Sequence, residues 1–327
     1  IHEKIDREID ERRNADKLKA YYMESLPLLQ ENFFVSIIDG RIPEEKIQKY
    51  LADYQISLTG PYYVVAILHI STTDIPQNMN PFLLGLSVKK LAEEHLEGEW
   101  NSRILMYLGD ILVVTQLEKK EQITAFTDSL DQLCRLAKHA CEAIVTAGIG
   151  YVCNNLLEIR QSWQGARSAV SYRIIYGNTR AINIAEIDPM ENVDERWEEQ
   201  EIQKIMKKIR MGSKEDLETE LNHCIRRFMQ DGTTMQKYQI FIMGLLTEIF
   251  RFCNNNQLDS TKFYGEKGAV FEHCMQMESP EELEQCLLEM CEKLRKTVQQ
   301  ERQASTKSFV SKAVEYVQEH YSDKNIT

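Results

Sequence analysis

Residues 103–114 read Arg-Ile-Leu-Met-Tyr-Leu-Gly-Asp-Ile-Leu-Val-Val. An apolar run enters a Gly-Asp pair and a second apolar run leaves it. This is the sequence form of a tight β-hairpin, with Gly109 and Asp110 supplying the turn between two β-rich segments. Short motifs match by chance, so taken alone the pair says only that the chain reverses here. What surrounds it decides how much more can be read.

The hairpin stands inside an alternating series. Tyr62–Ser71 is apolar and β-branched, and is predicted as a strand. Phe82–Leu96 reads as a helix, with Leu83, Leu86, Leu91 and His95 recurring. The hairpin strands lie within Arg103–Gln116. Glu121–Ala140 is a second helix, marked by Ile123, Phe126, Leu130, Leu133 and Leu136. Ala143–Val152 is a strand, Asn154–Tyr176 a helix and Ala181–Ile184 a short final strand. The order β-α-β-β-α-β, with a further helix and strand, is the ferredoxin-like arrangement and places the chain in the α+β class.

The flanks are helical. Ile1, Ile5, Ile9, Arg12, Ala15, Leu18 and Tyr22 recur at spacings of three and four along a highly charged segment. Such a narrow stripe suits a two-stranded coiled coil, and also suits a helix packed on its own domain. Ser25-Leu26-Pro27 is a restart signal, because Ser caps and Pro is tolerated only in a first turn. The next helix carries Leu28, Leu29, Phe33, Phe34, Ile37 and Ile38 to a stop at Asp39-Gly40. Pro43 opens another, with Ile47, Tyr50 and Leu51 as its face. Beyond residue 194 strand-like runs cease. Stripes through Ile202, Ile205 and Ile209, through Leu217, Leu221, Cys224, Ile225 and Phe228, along Tyr238–Phe252, over Phe271–Met277 and through Leu283, Leu287, Met290, Leu294 and Val298 predict a bundle. Gly212-Ser213 and Asn254-Asn255-Asn256 separate its helices. Its methionines suit gap-filling core positions better than a ligand pocket.

Composition removes several function classes. The 327 residues suffice for more than one domain, and the formal net charge of −12 argues against non-specific nucleic-acid binding by this stretch itself. No apolar run approaches the roughly 18–20 residues of a membrane span, so no membrane partner is expected. The cysteines at 134, 141, 153, 224, 253, 274, 286 and 291 form no Cys-x-x-Cys pair and mostly sit in apolar helical patterns. They read as reduced core residues of a cytoplasmic protein, with neither metal nor cofactor expected. The chain opens at Ile1 and stops at Thr327 in mid-pattern, as a piece of a longer protein would.

The hairpin resembles the signature turn of the GGDEF family, nucleotide cyclases that join two GTP molecules into cyclic di-GMP. Where that family carries Gly-Gly-Asp-Glu-Phe, this chain has Leu108, Gly109, Asp110, Ile111 and Leu112. Residues 147–150 (Ala-Gly-Ile-Gly), the alanine-rich helix containing Gly165-Ala166-Arg167-Ser168-Ala169 and its end at Tyr176-Gly177 resemble the same family's C-terminal half. The resemblance spans roughly residues 60–187. It implies a degenerate domain. The catalytic acid position is Ile111, which cannot hold a divalent metal, and His69 and Ser71 stand where acids would end the first strand. No catalytic residue is therefore expected. His69, Tyr107 and Asp110 are the candidate ligand contacts of such a cleft.

Ser308–Tyr321, followed by Ser-Asp-Lys-Asn-Ile-Thr, resembles the opening helix of an AraC-type DNA-binding domain, with Val310, Val314, Val317 and Tyr321 as its buried face. A generic amphipathic helix has the same spacing. The order of parts resembles the AraC-type response regulators of two-component systems. That implies a helical linker over 1–58 after a receiver domain, a degenerate GGDEF-like domain over 59–190, a bundle over 191–304 and the start of a helix-turn-helix domain over 305–327. The implied role is the regulatory, dimerising middle of a transcription regulator without catalytic activity. A homodimer, DNA reached through a domain mostly beyond Thr327 and a cognate sensor kinase reached through the receiver are the implied partners. A small-molecule or nucleotide-sensing receptor is the alternative.

Overall fold

The computed structural model describes residues 2–58, 60–72, 75, 79–187, 197–230, 234–258 and 269–320. The chain is mixed α+β, a five-stranded sheet with helices making up most of the rest. It divides into two compact units, residues 1–173 with 178–186 and residues 174–177 with 187–327.

In the first unit the elements are α1 (His2–Ile38), α2 (Glu44–Asp53), β1 (Tyr62–Ile70), α3 (Pro81–Leu96), β2 (Asn101–Tyr107), β3 (Asp110–Leu117), α4 (Gln122–Ala140), β4 (Val145–Ile149), α5 (Ile159–Ser171) and β5 (Ala181–Asn183). A short helix, α6 (Arg173–Tyr176), lies between α5 and β5 in sequence. The sheet order is β2-β3-β1-β4-β5. All neighbours are antiparallel except β4 and β5. Strand β1 reads as an unbroken apolar run because it is buried on both faces. Its alternate side chains enter two cores. Val64, Ala66 and Leu68 join residues of α3 and α4, whereas Tyr63, Val65 and Ile67 join residues of α1, α2 and α5.

The predicted strands and helices of this unit are present with trimmed ends, and three details differ. First, the restart at Pro27 does not occur. Helix α1 runs through it without a break. Contacts on both sides of the proline hold it to α2: the Tyr22 hydroxyl donates to Asp53 O, and Gln30 Nε2 donates to Tyr54 O at 2.8 Å. Burial of Phe33, Phe34, Ile37 and Ile38 anchors the rest. The side chains of Ile1, Ile5, Ile9, Arg12 and Ala15 lie outside the described residues. Second, α3 buries Leu84, Val88, Ala92 and Leu96, and leaves Leu83 and Leu86 exposed. Smaller side chains let this helix sit close to the sheet, where the Met106 methyl lies against Gly85. Third, the helix expected over 154–176 is broken. A single turn at Leu156–Glu158, begun by Asn155 accepting from Glu158 N, precedes α5, and Tyr172 separates α5 from α6.

Helix α5 lies tight against β1 and β4. A Cβ at Gly148 would stand 2.3 Å from Ala166 O, and one at Gly150 would stand 1.8 Å from Ser162 O. The two glycines are therefore a strand passing under a helix. The close approach also completes the backbone hydrogen bonding. Beyond the end of β4, Val65 N donates to Ser162 Oγ at 2.8 Å, and Val65 O accepts from Gly150 N at 2.9 Å.

The second unit is helical: α7 (Trp197–Met211), α8 (Lys214–Gln230), α9 (Met235–Asn255), α10 (Ala269–Gln276) and α11 (Pro280–His320). The predicted stripes are its core, with Ile205, Ile209, Leu217, Leu221, Leu245, Ile249, Leu287 and Leu294 buried; the side chain of Phe228 is outside what the structure describes. Met206 and Met290 are core residues, and Met211 and Met243 are exposed. Asn254 and Asn255 belong to α9 rather than to a linker. Arg295, buried on α11, forms a paired contact with Glu292 and donates to Gly212 O at 3.4 Å, which fixes the α7–α8 turn. No break separates the bundle from residues 305 onward, because α11 is one helix of 41 residues. Val310, Val314 and Val317 are exposed on it, and Tyr321 with the rest of the tail lies outside the described residues.

Replacing Gly150 by Ala forces the β4 end away from α5. We expect a loss of about 1–3 kcal/mol or more, in the range for an overpacked core. It is read as a lower urea midpoint at unchanged slope. A midpoint equal to wild type would contradict the close approach.

Candidate functional site

Strands β2 and β3 end in the cross-strand pair Tyr107 and Asp110, so the turn between them is Leu108 and Gly109, one residue earlier than the expected Gly109-Asp110 pair, and Asp110 opens the second strand. The φ values of Leu108 and Gly109 are +52° and +90°. Positive φ at both central positions is the twist-matched form of a two-residue hairpin. Glycine enters it freely, whereas leucine in this region carries a cost of roughly 1–2 kcal/mol. Leu108 is 74% exposed, so it recovers little of that cost by packing.

Strand alternation then sorts the motif between the two faces of the sheet. Ile111 is 0% exposed and lies in the α3/α4 core with Leu68 and Val113. Asp110 and Tyr107 face α5 on the other side, together with Ile67 and Leu112. His69, near the end of β1, reaches Asp110. Their Nδ1 and Oδ1 atoms are 2.8 Å apart, and since a carboxylate only accepts, Nδ1 carries the proton. Ser71 is buried just beyond β1, its N–H bonded to Ile144 O.

Four residues that the sequence did not single out complete the cluster. The Tyr107 hydroxyl donates to Asp39 Oδ1 at 2.6 Å, and Arg41 holds Asp39 Oδ2 at 2.6 Å. The Tyr107 ring meets the edge of Trp163 at a centroid distance of 6.0 Å, and the Arg167 guanidinium stands over that indole at 5.7 Å. Asp39 carries a sequence signal only as a helix stop. Arg167 lies within the motif quoted from α5, but nothing in the sequence aims it at the hairpin.

These groups enclose a cavity of about 80 Å³ lined by Tyr107, Leu108, Asp110, Leu112, Trp163 and Arg167 with Ile67. At ~30 Å³ per water molecule it holds two or three waters. Ligand pockets run to roughly 300 Å³ and above, so a nucleotide does not fit without opening the hairpin from α5. A larger hollow of about 480 Å³ lies at the other end of β1, between α2 and the turn at 156–158, and contains none of the hairpin residues. Among the described residues no three His, Cys, Asp or Glu side chains are grouped to hold a metal ion. No helix there is long and apolar enough to cross a membrane.

The hydrogen bond to Asp39 holds the Tyr107 phenol above its usual value of 10.0, burial and the Asp39 charge add to this, and Arg41 and Arg167 oppose it. The bond's contribution to stability is therefore complete below pH 10 and fades as pH rises through the higher folded value. Tyr107→Phe should cost about 1–2 kcal/mol near neutral pH, as expected for a part-exposed bond to a charged acceptor. It should also remove one of the raised tyrosine steps, which include those of Tyr54, Tyr63 and Tyr238, from an absorbance titration of phenolate; a titration curve identical to wild type would contradict the assignment. Leu108→Asn places a residue tolerant of positive φ at the turn and should stabilise the unit by about 1 kcal/mol. A lowered thermal midpoint would show that Leu108 is held by contacts rather than strained.

No curated protein and no solved structure matches the chain. One family model does, that of the GGDEF-like domain, over residues 39–172. The match begins earlier than the sequence reading placed it, at the end of α1, and so takes in α2, Asp39 and Arg41. With the two-residue turn at 108–109 standing inside it, the chain contains a GGDEF-like domain at residues 39–172.

Proposed function

We propose that this region is the non-catalytic regulatory middle of a DNA-binding response regulator of AraC type, acting as a dimer in the cytoplasm. A GGDEF-like domain points to a regulatory or signalling role. The observation that carries the non-catalytic reading is Ile111. It occupies the acid position of the signature turn, it offers no ligand to a cation, and it is sealed in the α3/α4 core. The strand order β2-β3-β1-β4 with its two crossing helices supports the ferredoxin-like arrangement. Helices at the edges of both units support the dimer. Leu18 and Tyr21 on α1, and Phe309, Val310 and Val314 on α11, are large apolar side chains left in solvent. In this reading a change in a receiver domain re-orients two protomers and sets the spacing of their DNA-binding domains on half-sites.

A ligand receptor is the second reading, favoured by one feature: Trp163, Arg167, Tyr107 and Asp110 converge on one small cavity, with His69 behind Asp110. It requires the hairpin to part from α5.

Three measurements on this chain test these readings. Sedimentation at micromolar concentration should give a dimer, and Leu18→Glu with Tyr21→Glu should weaken it; a monomeric wild type would sink the dimer. Incubation with GTP and magnesium should give no cyclic dinucleotide, and product would overturn the non-catalytic reading. Calorimetry with GTP and with cyclic di-GMP should show no heat; binding that Arg167→Ala abolishes would favour the receptor.

A further inference from the structure

The hollow of about 480 Å³ at the end of β1 away from the hairpin falls in the size range of small-molecule sites, roughly 300–1,000 Å³. One wall is a single face of α2, where Glu44, Ile47, Gln48 and Leu51 follow the i, i+3, i+4, i+7 spacing. The other wall is the turn at 154–157. The floor is apolar: Ile47, Leu51, Leu58, Tyr63 and Leu156 line it, and each is a buried member of the core shared by α1, α2 and α5. The rim is polar and exposed, with Glu44 and Gln48 on α2 and Asn154 on the opposite wall.

The hydrogen bonds around the hollow separate groups that build it from groups left open to a ligand. The 154–157 wall is closed on itself. Asn155 Oδ1 accepts from Glu158 N at 3.2 Å, Asn155 Nδ2 donates to Glu158 Oε1 at 3.0 Å, and Asn154 N donates to Glu158 Oε2 at 3.1 Å. The Tyr63 hydroxyl is engaged by Leu58 O at 3.2 Å. By contrast, the side chains of Glu44, Gln48 and Asn154 make no hydrogen bond or ion pair among the described residues. No Lys, Arg or His among those residues lines the hollow, so Glu44 is its one charge. Filled with water alone, the space takes about sixteen molecules at ~30 Å³ each, held against an apolar floor. An apolar body that displaces them gains by removing that floor from water.

We propose that this hollow binds an amphipathic organic cation, a small amine whose apolar body covers Leu51, Leu58 and Tyr63 and whose ammonium group donates to the Glu44 carboxylate. The amide oxygens of Gln48 and Asn154 are placed at the same rim to accept its remaining N–H groups. An anion of the same shape meets the Glu44 charge with no cation to offset it, which sets this site apart from nucleotide binding at the hairpin. A bound amine would tie α2 to the turn that leads into α5. The hollow shares no residue with the hairpin cavity and is independent of the role proposed above.

Three indole compounds with one body and different charge test this on the whole chain: tryptamine as the cation, tryptophol as the neutral form and indole-3-acetate as the anion. In heteronuclear NMR of the isotope-labelled wild type, tryptamine at millimolar concentration should shift amide resonances of α2 and of residues 154–157, and leave those of the hairpin in place. It should bind about fivefold more tightly than tryptophol, as one exposed charge pair allows, and indole-3-acetate should bind more weakly than both. Glu44→Gln should remove the fivefold preference and leave tryptophol binding unchanged. Gln48→Trp, which fills the hollow from an exposed position, should abolish binding of both. An absence of shifts with tryptamine, shifts confined to other residues, or indole-3-acetate binding as tightly as tryptamine would overturn the proposal, as would full binding by a folded Gln48→Trp variant. If either variant does not fold, the wild-type shift map and charge order decide the matter without it.

Discussion

Strand β1 serves two cores at once. Val64, Ala66 and Leu68 close the layer beneath α3 and α4, while Tyr63, Val65 and Ile67 close the layer beneath α1, α2 and α5. Its backbone is shared as well, between β3 on one side and β4 on the other. Where β4 ends, α5 takes over through Ser162, and this is possible only because Gly148 and Gly150 let the helix come down onto the strand. The candidate site depends on the same strand. His69 follows directly after Leu68, so the packing that fixes Leu68 in one core aims His69 at Asp110 on the opposite face.

The period of two along β3 also explains why the signature turn divides as it does. Asp110 keeps a partner in His69 and remains half-exposed beside a small cavity. One residue on, Ile111 belongs wholly to the α3/α4 layer. A carboxylate in that apolar setting would need a cation or several donors to offset the loss of water, and an uncompensated one costs several kcal/mol. Ile111 therefore counts as a core residue of the fold, and a change to an acid there would strike at packing before it created a metal ligand.

Much of this was legible in the sequence where a residue's role is set by its neighbours along the chain. The hairpin around Gly109, the strand at Tyr62 and the α4 stripe through Phe126, Leu130 and Leu133 are all of that kind. What escaped depends on contacts between distant segments. Pro27 reads as a helix start, yet Tyr22 and Gln30 tie α1 to α2 on either side of it. Leu83 and Leu86 look like a buried face, yet a sheet that must be approached closely selects Val88 and Ala92. At the site, His69, Tyr107 and Asp110 do share a face. Asp39, Arg41, Trp163 and Arg167 are brought there by folds of the chain that no local pattern reports.

The strained turn and the clasp behind it point the same way. Leu108 holds a conformation that glycine would hold without cost, and it does so in solvent, where no packing rewards it. What keeps it there is the pairing of Tyr107 with Asp110, and each of those residues is held from another element, Tyr107 by Asp39 of the α1–α2 connection and Asp110 by His69 of β1. Helix α1, strand β1 and the hairpin are thus coupled through two hydrogen bonds at one corner of the sheet. A shift of α1 would act first on Asp39 and Tyr107, and through them on the hairpin. The proposed regulatory role would use this corner to pass a movement of α1 on to the hairpin.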